Sequence, residues 1–493
     1  MTESAEVVVI GAGFGGLATA LSLAERGISV TLLERLGYAG GCAATYTRQQ
    51  HQFEAGATLY AGLDRNGVLG RWIEEHRLPV DVDILDPAIE FRSPTVSIPV
   101  HRERQKFIDE WCALPGAPRE AIQRFFRFQQ RAAAGLWHFL EDPELLPPWR
   151  PTSLLRAGTR AISVAPLLPW ITRPLEDLLR AHRLEQFTPL RDYLDSASQI
   201  TVQCGVDEAE VSFALGAIDY VHRGAAHVRG GIGALSAALV DRIRQLGGTV
   251  SLACRATEIT RGDASWRIET RRGPIEANWV VANLLPTQLR QFSFASTWPV
   301  AERLEELSSP LRDAWGACML YRTIRDDGLS PAPHHLQLRR RVGGRAIEGE
   351  HVFCSLSGAG DGQRSPRPGE RTMTVSTHVP LERWRRANDP GAYVERVQAV
   401  MRETIRSLAP ELDERTTQEW TASPRTFERF TGRPEGCVGG IPRRAGLDHY
   451  LKIGPQRIAP NFALVGDSVF PGQSILATAL GGVRVAEMIA RSR

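Results

Sequence analysis

Near the N-terminus the apolar positions change spacing twice. Val7-Val8-Val9-Ile10 is an unbroken apolar run, Gly11-Ala12-Gly13-Phe14-Gly15-Gly16 interrupts it, and apolar residues return at helical spacing from Leu17 to Gly27. The pattern predicts a buried strand, a tight turn and a helix. A second apolar run, Ser29 to Leu33, predicts another strand that ends at Glu34. Between Arg102 and Leu194 helical spacing dominates, as from Glu120 to Arg131, with joints at Pro143, Pro147, Pro148, Pro151, Pro166 and Pro169. An α-rich insertion is expected there.

Val228 to Leu235 brings a further glycine turn, followed by a helix through Leu246 and strand signals at Val250, Thr257 to Ile259, Ser265 to Thr270 and Trp279 to Asn283. Cys318 to Tyr321, His351 to Ser357 and Thr372 to His378 alternate in a way that predicts an antiparallel sheet, one wall of a cavity. Asp389-Pro390 opens a helix through about Leu408. The last signals are a strand at Phe462 to Val465 and a helix starting near Gly472 to Ser474.

A chain of 493 residues predicts two or three domains with real cores, and 43% hydrophobic against 23% charged residues is the balance of a soluble globular protein. The 59 basic and 56 acidic residues are too evenly mixed for a phosphate-tracking surface, so nucleic acid is not an expected partner. Seven cysteines, none paired two residues apart, and the lack of metal-ligand spacing predict a reducing compartment and no metal. The N-terminus lacks the basic region and cleavage site of a secretory signal. A spanning helix needs roughly 20 apolar residues; the longest uncharged stretches, Ser468 to Val483 and Ala161 to Thr172, fall short. The expected location is cytoplasmic, with peripheral contact on the inner face of a membrane through Ile162 to Ile171, flanked by Arg160 and Arg173.

The strand, glycine turn and helix carry the first chemistry. Gly11 permits the turn, Gly13 admits a pyrophosphate and Gly16 lets the helix pack on the strand, so the helix N-terminus faces phosphates. Glu34 stands where a carboxylate binds ribose hydroxyls and disfavours a 2′-phosphate. That is a dinucleotide fingerprint, which NAD and FAD share. Two further segments point to flavin. Gly37-Tyr38-Ala39-Gly40-Gly41-Cys42 supplies more backbone amides beside the diphosphate, and Phe53-Glu54-Ala55-Gly56-Ala57-Thr58 follows it. Gly466-Asp467-Ser468 after the last strand offers a carboxylate to a ribityl chain, and the helix beyond Gly472 directs free amides and its positive end at a reduced ring.

With these motifs the chain resembles the flavoprotein superfamily of amine oxidases and carotenoid desaturases. Phe53 to Leu63, His227 to Gly233, Phe430 to Gly436 with Gly439-Gly440-Ile441-Pro442, and Gly466 to Gln473 resemble the phytoene desaturase and carotenoid isomerase family of FAD-dependent oxidoreductases, over nearly the whole chain. Gly56 to Leu63 and Trp137 to Trp149, including Leu146-Pro147-Pro148-Trp149, are most similar to the cyanobacterial-type carotenoid C-3′,4′ desaturase. The chain departs from the family at Glu54, commonly Asp, at Ser474-Ile475-Leu476, and at Cys437.

The resemblance implies an α/β fold with a Rossmann-type FAD-binding domain, discontinuous over 1–90, 225–295 and 455–493. An α+β substrate domain is expected over 91–224 and 296–454. It implies FAD, an apolar polyene substrate and an acceptor such as oxygen or a quinone. Desaturation by hydride transfer to flavin N5 leads; redox-neutral cis-trans isomerisation or saturation by reduced FAD is the alternative, and amine oxidation a second. The candidate cofactor set is Gly11, Gly13, Phe14, Gly15, Gly16, Glu34, Arg35, Gly40, Gly41, Cys42, Gly56, Ala57, Thr58, Ala256, Gly466, Asp467, Gly472, Gln473 and Ser474. No catalytic base is assigned. Tyr60 is a cavity candidate, and His222, His227, His334 and His378 read as structural or surface histidines.

Overall fold

The computed structural model describes residues 3–64, 67–147, 158, 162–262, 265–297, 299–327, 329 and 334–493. Pro148, Trp149, Pro151 and Arg160 lie outside the described residues. Two large sheets organise the chain. The first has a parallel centre in the order Thr249–Ser251, Val30–Leu33, Glu3–Ile10, Gly273–Ala282 and Phe462–Leu464, so segments far apart in sequence close one sheet. Ala256–Arg261 and Trp266–Thr270 extend it as an antiparallel meander.

The unbroken Val7 to Ile10 run has a simple cause. Val7 and Val9 pack into one core with the helices Phe14–Ala24, Gly233–Gln245 and Ile475–Arg491, while Val8 and Ile10 pack into another with Ile259, Trp266 and Phe462. A strand covered on both faces has no polar side to show.

The second sheet runs Thr416–Ala422, Trp315–Arg325, Glu370–Pro380, His351–Leu356, His335–Arg339, Ile89–Arg92 and Ser97–Val100. Its pairings are antiparallel apart from His335–Arg339 with Ile89–Arg92. The alternation predicted for its central strands is present. Cys318, Leu320, Cys354 and Val375 face the helix Pro390–Leu408, packing on Tyr393, Val397 and Met401, whereas Ala317, Met319 and Phe353 face a cavity. Asp389 caps that helix, its carboxylate accepting from the Gly391 and Ala392 N–H groups.

Four strands of this sheet carried no sequence signal. Ile89–Arg92 and Ser97–Val100 are four residues each, and the latter holds Pro99 at the sheet edge, where a missing N–H is tolerated. Thr416–Ala422, at the other edge, is half-exposed and polar, and His335–Arg339 reads as mixed because its polar residues face inward.

The expected α-rich region forms a third layer, with helices Arg104–Ala113, Arg119–Glu141, Leu175–Ala181, Thr188–Thr201 and Val211–Ile218 around Phe107, Trp111 and Phe125. Within Ile162 to Ile171, Ile162 is 75% and Leu168 65% exposed, but Leu167 is buried in the helical core. Among the described residues no helix is long and apolar enough to cross a membrane.

Candidate functional site

The site begins where the parallel strands end. Gly11 has φ +98° and donates its N–H to Leu33 O at 2.7 Å, joining the first two strands through the turn. A Cβ on Gly16 would stand 2.0 Å from Gly11 O, so the first helix can start here on glycine alone. Gly40 pairs with Gly13 and donates to Ala12 O at 2.8 Å, which brings the second glycine loop beside the first. Cys42 O accepts from Ala57 N–H at 3.0 Å, adding Gly56, Ala57 and Thr58 to the same floor.

Glu34 has a second task that spacing did not reveal. Its two carboxylate oxygens accept the Ala12 and Leu36 N–H groups, each at 2.8 Å, so it braces the glycine loop. Burial raises its pKa against those hydrogen bonds, and each oxygen retains a second lone pair. Asn283, at the end of a neighbouring strand, is a site residue that the sequence reading missed. Its Nδ2 donates to Gly11 O at 3.3 Å, and Cβ atoms on Gly13 or Gly466 would lie under 3 Å from its amide. Its position at a strand end beside the glycine turn is the one signal that points to it.

At the far end Asp467 lies 2.7 Å from Arg433, whose Nη1 donates to Gly439 O at 2.8 Å. The Asp467 carboxylate is therefore already paired, and the Arg433 guanidinium is held charged by it. Ser474 has φ +101° and caps the last helix, accepting from Ala477 N–H at 3.0 Å and sharing a hydrogen bond with the Tyr220 hydroxyl at 2.8 Å. Gln473 donates to Ile200 O at 2.9 Å.

One cavity of about 650 Å³ contains these groups. It is lined by Gly11, Gly13, Phe14, Gly15, Glu34, Arg35, Gly40, Gly41, Cys42, Gly56, Ala57, Thr58, Ala256, Gly466, Asp467, Gln473 and Ser474 from the candidate set. Gly16 and Gly472 are not on its wall: Gly16 packs on Gly11, and Gly472 turns its back to Arg443. Beyond the glycine floor the walls become apolar, with Ile89, Tyr193, Ile200, Ile218, Met319 and Phe353. Gln337, His351 and His378 are polar groups in that wall, and burial pulls the His378 imidazole down to about 4.

Two expectations change here. Tyr60 does not line the cavity; it is buried, and its hydroxyl donates to Ile232 O at 2.7 Å. His378, read as an ordinary histidine, does line it, while His222, His227 and His334 do not. Burial raises the Cys42 thiol above its usual range, so that cavity cysteine is a poor nucleophile. The described residues contain no cluster of three or more potential metal ligands.

Residues 9–75 match a family described as an NAD(P)-binding Rossmann-like domain. Over 512 aligned residues the chain is 25% identical to prolycopene isomerase 1, chloroplastic, of an Oncidium hybrid cultivar, covering 99% of this chain and 84% of that protein. Prolycopene isomerase, chloroplastic, of Daucus carota is 23% identical over 98% of this chain and 80% of that protein, so the likeness to prolycopene isomerases runs through nearly the whole chain. Human all-trans-retinol 13,14-reductase is 22% identical over 95% of this chain and 83% of its own. Among solved structures, an oxidoreductase from Methanosarcina mazei superposes with a TM-score of 0.67 at 18% identity, covering 98% of this chain and all of its own. A putrescine oxidase variant superposes at 0.68 with 13% identity over the full length of both chains. The two structures share the α/β fold found here, a Rossmann-type sheet joined to a second, largely antiparallel one.

Proposed function

We propose that this chain is an FAD-dependent oxidoreductase that desaturates a long apolar polyene by hydride transfer to flavin N5. One observation carries the reading: a single cavity joins a glycine-lined dinucleotide floor to an apolar chamber walled by the second sheet and the helical layer. We assign 1–90, 225–295 and 455–493 to FAD binding and 91–224 and 296–454 to the substrate.

Bound FAD would supply a two-electron acceptor for an allylic hydride. The chain's own residues hold and orient. Gly11, Gly13, Gly15, Gly40 and Gly41 present backbone to the pyrophosphate, Glu34 takes ribose hydroxyls, and Asp467 accepts from the ribityl chain with the oxygen that Arg433 leaves open. The turn from Ser474 to Ala477 offers the positive end of the last helix to the ring. The apolar wall positions the polyene and excludes water, which favours a near-attack geometry. A cation forming on a polyene is spread over many carbons, so its neighbouring proton needs no strong base and no residue is assigned as one. Oxygen or a quinone is the expected acceptor, and Ile162 and Leu168 the expected peripheral membrane contact on the cytoplasmic side.

A second reading, redox-neutral isomerisation or saturation on the same site, is favoured by the prolycopene isomerases and retinol reductases among the relatives. Product mass decides: two hydrogens lost, none, or two gained. Amine oxidation is set aside because the chamber wall is apolar and the likeness to putrescine oxidase is one of fold.

A further inference from the structure

Six arginines are buried among the described residues, and four of them have a carboxylate partner: Arg322, Arg339, Arg364 and Arg371. Arg443 and Arg484, each 5% exposed, have none among the described residues. Both lie behind the loop 466–474, whose front lines the cavity through Gly466, Asp467, Gln473 and Ser474. Arg443 packs on the back of Gly472, where a Cβ would meet its Nη2 at 2.6 Å. Its Nη2 donates to Val469 O at 3.4 Å, its Nη1 meets His449 Nδ1 at 3.0 Å, and its guanidinium lies 5.0 Å from the Phe213 ring centroid. Arg484, on the last helix, donates to Pro147 O at 3.2 Å and Ile453 O at 2.9 Å and lies 5.2 Å from the Phe470 ring centroid. Carbonyls and rings satisfy donors without cancelling charge.

Burial lowers both guanidiniums to about 10, which leaves them charged at neutral pH. An uncompensated buried cation is costly. Asp467, whose charge acts on Arg443, is already paired with Arg433 at 2.7 Å. The field of Arg443 also reaches Tyr220, which shares its hydrogen bond with Ser474 on the cavity wall. The N-terminus of the helix Ile475–Arg491 opens at the same place and adds a partial charge of the same sign.

We propose that Arg443 and Arg484 stabilise the negative charge of the reduced flavin at the Ser474 end of the cavity and so raise its reduction potential. The proposal rests on the reading that FAD occupies this cavity. Hydride uptake adds two electrons and one proton to the neutral ring, which leaves one negative charge, and the two guanidiniums hold that charge through the loop. They are positioning residues, Arg443 acting across Gly472 and Arg484 across Phe470.

The test is the midpoint potential of the FAD-loaded full chain, by dye equilibration. Arg443→Gln and Arg484→Gln should each lower the reduced-to-oxidised ratio about tenfold, roughly 30 mV for a two-electron couple, and Arg443→Lys should restore most of it. Flavin-loaded variants with an unmoved potential overturn the proposal. Should the variants fail to fold, the wild type decides. With a reduced flavin held anionic, each tenfold change in proton activity moves its potential by about 30 mV between pH 6 and 8. A slope of about 60 mV, two protons for two electrons, overturns the proposal. A chain that takes up no FAD at all overturns the functional reading and this inference with it.

Discussion

Replacing Asp467 with alanine separates its ion pair with Arg433 from the hydrogen bond to a ribityl chain proposed for the same carboxylate. Its Oδ2 is 2.7 Å from Arg433 Nη2, and the two side chains are 13% and 16% exposed. Removing one partner of a largely buried ion pair strands the other, a loss of about 3–5 kcal/mol in stability. A charge-assisted hydrogen bond to a ribityl hydroxyl contributes about 1.5–3 kcal/mol, or roughly 10- to 150-fold in FAD affinity. The double variant Asp467→Ala/Arg433→Met removes the stranded charge and keeps apolar volume. Thermal unfolding of the apoprotein and FAD titration by flavin fluorescence, run on both variants, form the assay. The expected result is that the double variant regains most of the lost stability while its FAD affinity stays low. An affinity that recovers together with stability would mean that Asp467 serves Arg433 alone, and the assignment to flavin would be wrong.

Gly16→Ala places a Cβ 2.0 Å from Gly11 O, so the first helix must shift off its strand, and FAD retention should fall at least tenfold; a variant with full flavin content refutes the close-packing argument. Burial lowers His334 and His378 to about 4 and His449 to about 3, below an unfolded value of about 6.5. Each therefore favours the folded state above pH 6.5 and loses that contribution as pH falls toward its folded value, at about 1.4 kcal/mol per pH unit. Urea midpoints should drop steeply from pH 6.5 to 4.5, and a flat profile would contradict that. Ile162→Asp with Leu168→Asp should reduce flotation on liposomes without lowering the melting temperature, whereas Leu167→Asp should destabilise the fold; unchanged flotation in the double variant removes this segment as the membrane contact.

What the sequence showed follows locality. The run from Val7 through Gly16 to the first helix is one continuous stretch of strand, glycine turn and helix, with Gly16 fitted against Gly11 O inside the turn, so spacing alone reveals it. Cys318 to Tyr321 and Thr372 to His378 were legible because one face meets a helix and the other a cavity, which imposes alternation. Arg433, Tyr220 and Asn283 were not. Each joins the site through a partner distant in the chain or by lying at a strand end: Tyr220 meets Ser474 across 254 positions and Asn283 meets Gly11 across 272. Tyr60 follows a glycine-rich cavity segment and so looked like a wall residue, but the strand-like pairing of Tyr60 with Ala226 turns its ring toward Phe14 and Ile232. Gly472 likewise belongs to the motif that carries the flavin reading, yet its close neighbour is Arg443 on the opposite side of the loop.

The most direct measurement is to load the protein with FAD, remove oxygen, add acyclic carotenoids in liposomes, and follow flavin absorbance together with product mass. The oxidised flavin band should bleach as a product two hydrogens lighter appears, with its absorbance shifted to the red. A protein that holds FAD and leaves every polyene unchanged in mass, retention and colour would contradict the proposed function.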